Sequence, residues 1–225
     1  MKLLIIRPQP GADATADRAA AFGIATLVIP LFEVRPVAWT VPANQAYDAL
    51  MITSANVLLH GSAELVLLQN LPVLAVGATT AAHANAAGFS VSATGDGGAA
   101  ELIEAAAAKG FKQLLWLTGA DHIALDPPAS FHVDRIPVYG AHALPPPHAL
   151  TAALNSPAMT ALHSPRAARL FSQICGDLGI DKSRQSLAAL SPAIANAAGP
   201  GWRAIAVAER PTDAALLSAA EHFCG

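Results

Sequence analysis

Short runs rich in Val, Ile and Leu alternate with alanine-rich stretches along the whole chain. The apolar runs have the length of strands, and the alanine-rich stretches are long enough for helices of about three turns. This alternation predicts a mostly parallel α/β sheet, because parallel strands are connected by helical crossovers and are buried on both faces. The first unit contains the strand KLLIIRP, the helix ADATADRAAAFG, which ends at Gly23, and the strand IATLVIP.

The composition predicts a globular protein with a large core. Of the 225 residues, 53% are hydrophobic and 13% are charged, which is ample apolar surface to bury. The net charge is −3 and the 13 basic residues are scattered, so no nucleic acid and no membrane surface is expected as a partner. The start, MKLLIIRPQP, has too few apolar residues before Arg7 for a signal peptide. No apolar run has the length of a membrane span, and we expect a cytoplasmic protein.

A second series of strand and helix units runs from Asp48 to about Tyr139. Between it and the first unit, LFEVRPVAW is predicted to be extended. The proline run at 145–147 can neither continue a helix nor occupy a central strand, so it predicts a linker. Three more units follow. The strands that we predict in these later parts are DALMIT, PVLAVG, FSVSA, QLLWLTG, VDRIPVYG, AMTALHS, SLAALSP and WRAIAVAE.

These units divide most simply into two domains of five strands each. Two strands at the start and three at the end would form a discontinuous first domain, residues 1–33 with 146–225. The continuous series would form a second domain, residues 38–137, with linker segments near 31–37 and 137–145. Five such units make a complete doubly wound parallel sheet, which is therefore the predicted architecture of each domain.

An internal repeat supports the division into two domains. Ser54 corresponds to Ser164, 110 positions later, and VGATTAAHANAAG from Val76 corresponds to LSPAIANAAG from Leu190, 114 positions later. VSATGDGGAAELI from Val91 corresponds to IAVAERPTDAALL, again 114 positions later. Three blocks in one order at nearly one spacing indicate a duplication, although an alanine-rich chain favours chance matches.

In each block, a strand gives way to a helix at small hydroxyl residues. Ser and Thr are common helix N-caps, and this local role is one interpretation. The other is a ligand site, because these turns share the carboxyl edge of a parallel sheet, where helix N-termini favour anions. If the two domains faced each other through those edges, backbone N–H groups would line a cleft for an anionic ligand. The hydroxyl residues concerned are Thr53, Ser54, Thr79, Thr80, Ser164 and Ser191.

Two arginines lie where strands should end. Arg7 and Arg166 could each bind a carboxylate through two hydrogen bonds, or be ordinary solvated charges. Other site chemistry has little support in the sequence. The eight histidines show no metal-ligand spacing, so no metal site is expected. Ser164 lacks the Gly-x-Ser-x-Gly context of a hydrolase nucleophile.

Several segments resemble uroporphyrinogen-III synthase, and they occur in the order of that family. They are LLIIRPQPGA, DALMITSANV, VLAVGATTAAHANAAGF, LLWLTGADH, IPVYGAH, LHSPRAARLF and VAERPTDAALL. Together they extend over essentially the whole chain. The resemblance implies two flavodoxin-like domains, the first of them discontinuous, joined by a two-stranded linker.

The resemblance also implies an activity. Members of the family cyclise the linear tetrapyrrole hydroxymethylbilane to uroporphyrinogen III, with inversion of the fourth pyrrole ring and loss of water, and use neither metal nor organic cofactor. Tyr139 matches the tyrosine that the family places near the cleft, where it could donate a proton to the departing hydroxyl. The substrate carries multiple carboxylates. The implied substrate contacts are Arg7, Thr53, Ser54, Ala55, Asn56, Gly77, Thr79, Thr80, Ser164, Pro165, Arg166 and Ser191.

The chain departs from the family pattern at one turn. Many members have Gly-Pro-Thr-Thr where this chain has Ser191, Pro192, Ala193 and Ile194. Both threonine hydroxyls are therefore missing, and only binding through the backbone is expected from this turn.

Other interpretations of the same pattern stay open. A non-catalytic, two-lobed small-molecule binding protein would share the architecture, and a nucleotide-sugar transferase would add a phosphate-binding glycine turn. Tyr139 could also be a packing residue of the linker. We expect a monomer with the linear tetrapyrrole as its ligand, and a transient contact with porphobilinogen deaminase is compatible with that role.

Overall fold

The computed structural model describes residues 2–43, 45–96, 98–121 and 125–224. The chain forms two compact units, one of Met1–Glu33 with Ala143–Gly225 and one of Val34–His142. We call them the discontinuous unit and the continuous unit. Each has its own sheet with helices packed on it. The doubly wound α/β fold expected from the sequence is therefore confirmed.

Strands and helices alternate along most of the described chain. The strands are β1 (Leu3–Ile5), β2 (Thr26–Val28), β3 (Phe32–Pro36), β4 (Ala49–Ile52), β5 (Val73–Val76), β6 (Val91–Gly95), β7 (Gln113–Gly119), β8 (His132–Ala143), β9 (Met159–Leu162), β10 (Ser186–Ala189) and β11 (Ala204–Val207). The α-helices are α1 (Gly11–Ala21), α2 (Asn56–His60), α3 (Ala78–Ala86), α4 (Ala99–Ala108), α5 (His148–Leu154), α6 (Pro165–Asp177), α7 (Pro192–Ala198) and α8 (Asp213–Cys224). Short 3₁₀ helices cover Ala63–Leu68 and Lys182–Arg184. None of the helices in the described part of the chain combines the length and hydrophobicity that a membrane crossing requires.

The sheet of the discontinuous unit has the order β11-β10-β9-β1-β2, and its adjacent strands are parallel. The central strands β1 and β9 are buried throughout, with no residue more than 1% exposed. Burial on both faces explains why these strands are unbroken apolar runs in the sequence. Ala19 of α1 and Leu216 and Leu217 of α8 pack on this sheet and complete its hydrophobic core.

The sheet of the continuous unit has the order β3-β8-β7-β4-β5-β6, and the strands from β8 to β6 are parallel. The residues of β4 show that this sheet is packed on both faces. Leu50 and Ile52 belong to one hydrophobic cluster, whereas Ala49 and Met51 belong to another. Because successive strand residues point to opposite faces, the two clusters are the cores on the two sides of the sheet. Helices α2 and α3 contribute to the first cluster, and α4 contributes to the second.

The strand orders agree with the internal repeat. The matched blocks pair β4, β5 and β6 with β9, β10 and β11, and in each sheet these three strands are neighbours in that order. On the other side of them lie β7 and β8 in the continuous unit, and β1 and β2 in the discontinuous unit. The continuous unit has β3 as a sixth strand at its edge, which the expectation of five strands in each domain does not include. The other five strands of the two sheets share one topology, except that the chain of the discontinuous unit begins at the fourth strand.

The stretches expected as linkers, near 31–37 and 137–145, are largely strands β3 and β8, which are neighbours in the sheet. β8 continues past Gly140, where the sequence pattern predicts its end, because β3 supplies a hydrogen-bonding partner that the local pattern does not reveal. Backbone hydrogen bonds of 2.9 Å make the pair antiparallel, from the N–H of Val37 to Val138 and from the N–H of Leu144 to Leu31.

A helix that the sequence pattern does not predict follows the proline run. α5 begins directly after Pro147, whose backbone is extended with φ −75° and ψ 155°. Proline is tolerated there because the first N–H groups of a helix have no intrahelical partner. Leu150 and Leu154 of this helix are 0% and 2% exposed, so α5 is anchored by burial and is not free linker.

Candidate functional site

The carboxyl edges of the two sheets hold most of the residues predicted as ligand contacts. In doubly wound sheets, ligands bind outside this edge, next to the two strands where the strand order reverses. Those strands are β4 and β7 in the continuous unit, and β9 and β1 in the discontinuous unit. The predicted contacts follow β4 and β5 in the first case, and β1, β9 and β10 in the second.

The turn after β4 consists of four half-buried residues that lead into α2. Ser54 Oγ accepts a hydrogen bond from the N–H of Asn56 at 3.2 Å, and Thr53 Oγ1 accepts one from Trp116 Nε1 at 3.3 Å. Ala55 takes the N-cap position without a side-chain cap. The two hydroxyls therefore hold the turn and tie it to β7, which supports the local interpretation of these residues.

The turn after β5 ends at Gly77, which is the N-cap of α3. Its φ of 78° lies in the left-handed region that favours glycine, and its N–H donates to the carbonyl of Gly95 at 2.8 Å. Thr79 is exposed in the first turn of the helix, whereas Thr80 is only 5% exposed. Of the two threonines, Thr79 is thus the one whose side chain can meet a ligand.

The turn after β9 begins α6, the longest helix of those described. Ser164 is its N-cap, with extended backbone, and its Oγ accepts from the N–H of Ala167 at 3.1 Å. Pro165 occupies the first helical turn, where its missing N–H costs nothing. Arg166 is exposed, and its guanidinium carbon lies 5.2 Å from the centre of the Phe32 ring. Ser164 therefore acts as a cap, and Arg166 is an accessible cation beside the helix N-terminus.

The turn after β10 differs from its neighbour. Ser191 is the N-cap of α7, and its backbone is also extended, but its side chain makes no capping hydrogen bond. The carbonyl of Ser191 accepts from the N–H groups of Ile194 and Ala195, both at 3.1 Å. This turn is therefore held by backbone hydrogen bonds rather than by the serine hydroxyl.

Arg7 follows β1 and belongs to a cluster that the sequence pattern does not reveal. Its Nη1 lies 3.3 Å from Asp213 Oδ1 and donates to Thr15 Oγ1 at 3.2 Å. Asp213 Oδ2 also accepts from Thr15 Oγ1 at 2.8 Å and from Arg18 Nη1 at 2.6 Å. His163 Nε2 lies 3.2 Å from Asp213 Oδ1, without the alignment of a good hydrogen bond. We call these five residues the Asp213 cluster.

The charges of the Asp213 cluster depend on one another. Burial alone would raise the pKa of Asp213, but His163, Thr15 and the charge of Arg7 hold that pKa well below its usual value. Burial lowers the pKa of His163, and although Asp213 opposes this effect, the ring is largely neutral at pH 7. Burial also lowers the pKa of Arg7, against the influence of Asp213, yet a guanidinium stays charged. With Arg7 and Arg18 charged and Asp213 ionised, the cluster has one net positive charge.

Tyr139 lies on β8, opposite Gly119 at the carboxyl end of β7. The residue is half-buried, and its ring centroid is 6.4 Å from that of His60, with an angle of 41° between the ring planes. His60 ends helix α2, which begins directly after the Ser54 turn. Tyr139 and that turn therefore belong to the same region of the continuous unit.

The site groups are mainly hydrogen-bond donors and cations. They are backbone N–H groups at helix starts, hydroxyls, and the guanidinium groups of Arg7 and Arg166. Among the residues that the structure describes, no group of three or more His, Cys, Asp or Glu side chains could hold a metal ion. Such a set of donors is suited to a ligand with carboxylate groups.

The chain matches the HEM4 family model, described as Uroporphyrinogen-III synthase HemD, over residues 13–218. Its structure is similar to that of uroporphyrinogen-III synthetase from Helicobacter pylori 26695, with a TM-score of 0.62, 17% identity, and coverage of 99% of this chain and 100% of that one. A mutant uroporphyrinogen III synthase from the extremely thermophilic bacterium Thermus thermophilus gives a TM-score of 0.45, 16% identity, and coverage of 99% and 97%. No significant match is found among curated proteins. The Helicobacter structure supports the fold, and because the family model spans most of the sequence, the chain belongs to the uroporphyrinogen-III synthase family.

Proposed function

We propose that the chain catalyses the reaction of its family, the closure of hydroxymethylbilane to uroporphyrinogen III with inversion of the fourth pyrrole ring and loss of water. The observation that carries this proposal is the family match over residues 13–218, which includes nearly all of both units. The donors and cations at the carboxyl edges give further support, because the substrate is a polyanion.

The substrate carboxylates would bind at the carboxyl edge of each sheet. α3 and α6 have 9 and 13 residues, so their first N–H groups and their dipoles favour an anion. Thr79 and Arg166 are exposed in the first turns of these helices. Arg7 is oriented by Asp213, and with 32% of its side chain exposed it adds a cation at the edge of the discontinuous unit. These groups bind the substrate without reacting with it.

We assign to Tyr139 the role of proton donor. In the family's reaction, the bond between carbon and oxygen of the hydroxymethyl group breaks while the electron pair of the pyrrole nitrogen forms the azafulvene. A proton from the Tyr139 hydroxyl would let the oxygen leave as water instead of hydroxide. The substituted carbon of the fourth ring then attacks the azafulvene, and the resulting spiro intermediate rearranges before the macrocycle closes.

The larger part of the task is conformational. The bilane also closes without help, to the type I isomer, so the protein must hold a flexible chain in the geometry that favours the other attack. Correct positioning of two reacting groups can supply about 7–11 kcal/mol of a barrier and needs no activated nucleophile. Binding groups at fixed helix starts are suited to this task, because a rigid sheet determines their positions.

The isomer composition of the product tests the proposal. Porphobilinogen and porphobilinogen deaminase would supply the bilane, and the products would be oxidised and separated by chromatography. We expect the type III isomer when the protein is present and the type I isomer when it is absent. If the product were type I alone, the synthase proposal would fail and a non-catalytic binding protein would be favoured.

Replacing Tyr139 tests its role as proton donor. We expect Tyr139→Phe to lower kcat for type III formation by about 10²- to 10⁴-fold, because the ring is kept and only the donor is lost. The matched control is Tyr47→Phe, since Tyr47 is the other tyrosine of the chain and donates to Asp134 at 2.6 Å. Its kcat should stay close to that of the wild type. A rate for Tyr139→Phe within a factor of about two of the wild type would rule out this role.

Three properties of the proposed synthase stay predictions: a monomeric state, a cytoplasmic location, and a transient contact with porphobilinogen deaminase. Light scattering coupled to size-exclusion chromatography, with and without the deaminase, would test the first and the third.

A further inference from the structure

The pairing of β7 with β8 is irregular next to Tyr139. Thr118 lies opposite Pro137 and Gly119 lies opposite Tyr139, so Val138 is an extra residue on β8 and forms a β-bulge. In a regular strand, Val138 and Tyr139 would point to opposite faces of the sheet. Here both pack against the same hydrophobic cluster, the one to which α2 contributes. The bulge therefore turns the Tyr139 side chain towards α2.

Gly119 lies against the ring of Tyr139. A Cβ atom on Gly119 would be 2.8 Å from Cε2 and Cζ of Tyr139 and 3.0 Å from its hydroxyl oxygen. Carbon atoms in contact are normally about 3.5–4.0 Å apart. Any other amino acid at position 119 would therefore displace the phenol, and the displaced end is the one that carries the hydroxyl.

Two further contacts restrict Tyr139. Its carbonyl accepts a hydrogen bond from the N–H of Ala120 at 2.8 Å, which holds the backbone against the end of β7. The His60 ring, with its centroid 6.4 Å away, limits the phenol on the side of α2. The ring of Tyr139 is thereby held between the end of β7 and α2.

We propose that Gly119 is a positioning residue for Tyr139: its missing side chain, together with the bulge at Val138, sets where the phenol hydroxyl lies at the carboxyl edge of the continuous unit. The inference rests on the proposed role of Tyr139 as proton donor. Gly119 acts through Tyr139 and does not touch the reacting atoms. A displaced hydroxyl would not reach the leaving oxygen, whereas the substrate contacts of the turns would be unchanged.

Gly119→Ala tests this inference, with Gly140→Ala as the matched control. Both glycines are buried on neighbouring strands, but a Cβ at Gly140 would meet nothing closer than 3.6 Å. We expect Gly119→Ala to lower kcat for type III formation about 10- to 100-fold, with KM nearly unchanged, and Gly140→Ala to keep both constants. In a Tyr139→Phe background, Gly119→Ala should lower kcat no further. Independent effects of the two changes, or an unchanged kcat in Gly119→Ala, would overturn the inference.

A readout that does not depend on activity separates this inference from the proposed function. The chain has 2 tyrosines, so fluorotyrosine labelling gives one fluorine NMR resonance for each, and Tyr47→Phe assigns that of Tyr139. We expect the Tyr139 resonance to shift in Gly119→Ala and to keep its position in Gly140→Ala. A shift combined with full activity of Tyr139→Phe would remove the proposed role of Tyr139 but leave the placement of its ring. An unshifted resonance would overturn the placement.

If Gly119→Ala does not fold, two further variants test whether the added methyl group clashes with the ring of Tyr139. Tyr139→Ala removes the ring, so in Gly119→Ala/Tyr139→Ala the added methyl group has no phenol to displace. We expect this double variant to fold, with a Tm close to that of Tyr139→Ala alone. A double variant as unstable as Gly119→Ala would show that the methyl group clashes elsewhere and would overturn the inference.

Discussion

At the scale of single residues, Asp213 organises the charged groups of the discontinuous unit. It accepts from Thr15 and Arg18, lies beside Arg7 and His163, and keeps only 13% of its side chain exposed. A carboxylate in such surroundings stabilises the fold only while it is ionised. It also fixes the orientation of Arg7, so a proposed substrate contact and a stabilising interaction share one side chain.

The pH dependence of stability should reveal the contribution of Asp213. Its folded-state pKa is below its usual value, so the contribution is complete above the unfolded pKa of about 3.9 and is lost as the pH falls through the folded pKa. We expect Asp213→Asn to lower the free energy of unfolding at pH 7 by about 2–4 kcal/mol. The difference from the wild type should stay nearly constant between pH 7 and about 5, and it should shrink as the pH falls through about 4 and below. Urea unfolding over that pH range measures both effects.

Asp17→Asn provides the control for Asp213→Asn, because Asp17 is an exposed carboxylate on the same helix as Thr15 and Arg18. Its effect on the free energy of unfolding should stay within about 0.5 kcal/mol. If the loss in Asp213→Asn were equally small, or did not change with pH, the Asp213 cluster would contribute little to the free energy of unfolding.

At the scale of elements, two successive turns of the discontinuous unit use their serines differently. Ser164 caps α6 through the N–H of Ala167 at 3.1 Å, whereas Ser191 makes no capping hydrogen bond to α7. Both residues are followed by proline at the start of the helix and both have extended backbones. The sequence pattern treats the two serines alike, and only the geometry of each turn distinguishes a cap from an uncapped helix start.

Ser164→Ala and Ser191→Ala form a matched pair that tests this difference. We expect Ser164→Ala to cost about 1 kcal/mol in the free energy of unfolding, because an N–H of the first turn of α6 loses its partner. Ser191→Ala should cost only a few tenths of a kcal/mol, because no cap is lost. Chemical denaturation of both variants measures these values. Equal losses in the two variants would contradict the assignment of the cap.

At the scale of the whole molecule, the continuous unit contains a complete hydrophobic core of its own, as an independent domain requires. Its sheet has a hydrophobic cluster on each face, and the buried members of both clusters lie between Ala49 and Val138. The predicted division into domains would follow if each unit folded by itself. This division stays a prediction, and it can be tested with fragments of the chain.

A fragment of residues 34–142 should fold alone, because both hydrophobic clusters of its sheet lie within it. We expect an α/β circular dichroism spectrum and a cooperative urea transition. The control fragment, 34–131, lacks β8, so β7 loses a neighbouring strand and Val138 leaves the core. That fragment should not unfold cooperatively. If 34–142 also lacked a cooperative transition, the unit would not be an autonomous domain.

Most strands could be predicted from local pattern, because a strand buried on both faces must be apolar along its length. Each predicted strand overlaps one in the structure, from β1 to β11. The helix α5 could not be predicted, because a proline run signals an interruption whether or not a helix follows it. The full length of β8 could not be predicted either, since its extension depends on pairing with β3.

The parallel α/β fold and the turns at which the predicted site residues lie follow from periodicity along the chain, and could therefore be predicted without coordinates. The repeat and the resemblance to the family follow from matching segments that occur in a fixed order. Which side chains meet depends on the tertiary structure. Asp213 is 206 positions from Arg7, and the two come together because β1 is inserted beside β9 and α8 packs on that sheet. In the same way, the ring of Tyr139 lies against Gly119 because one extra residue shifts the pairing of two strands. Contacts of this kind depend on which strands pair and on irregularities in their pairing, and the pattern of a single strand does not reveal its neighbours.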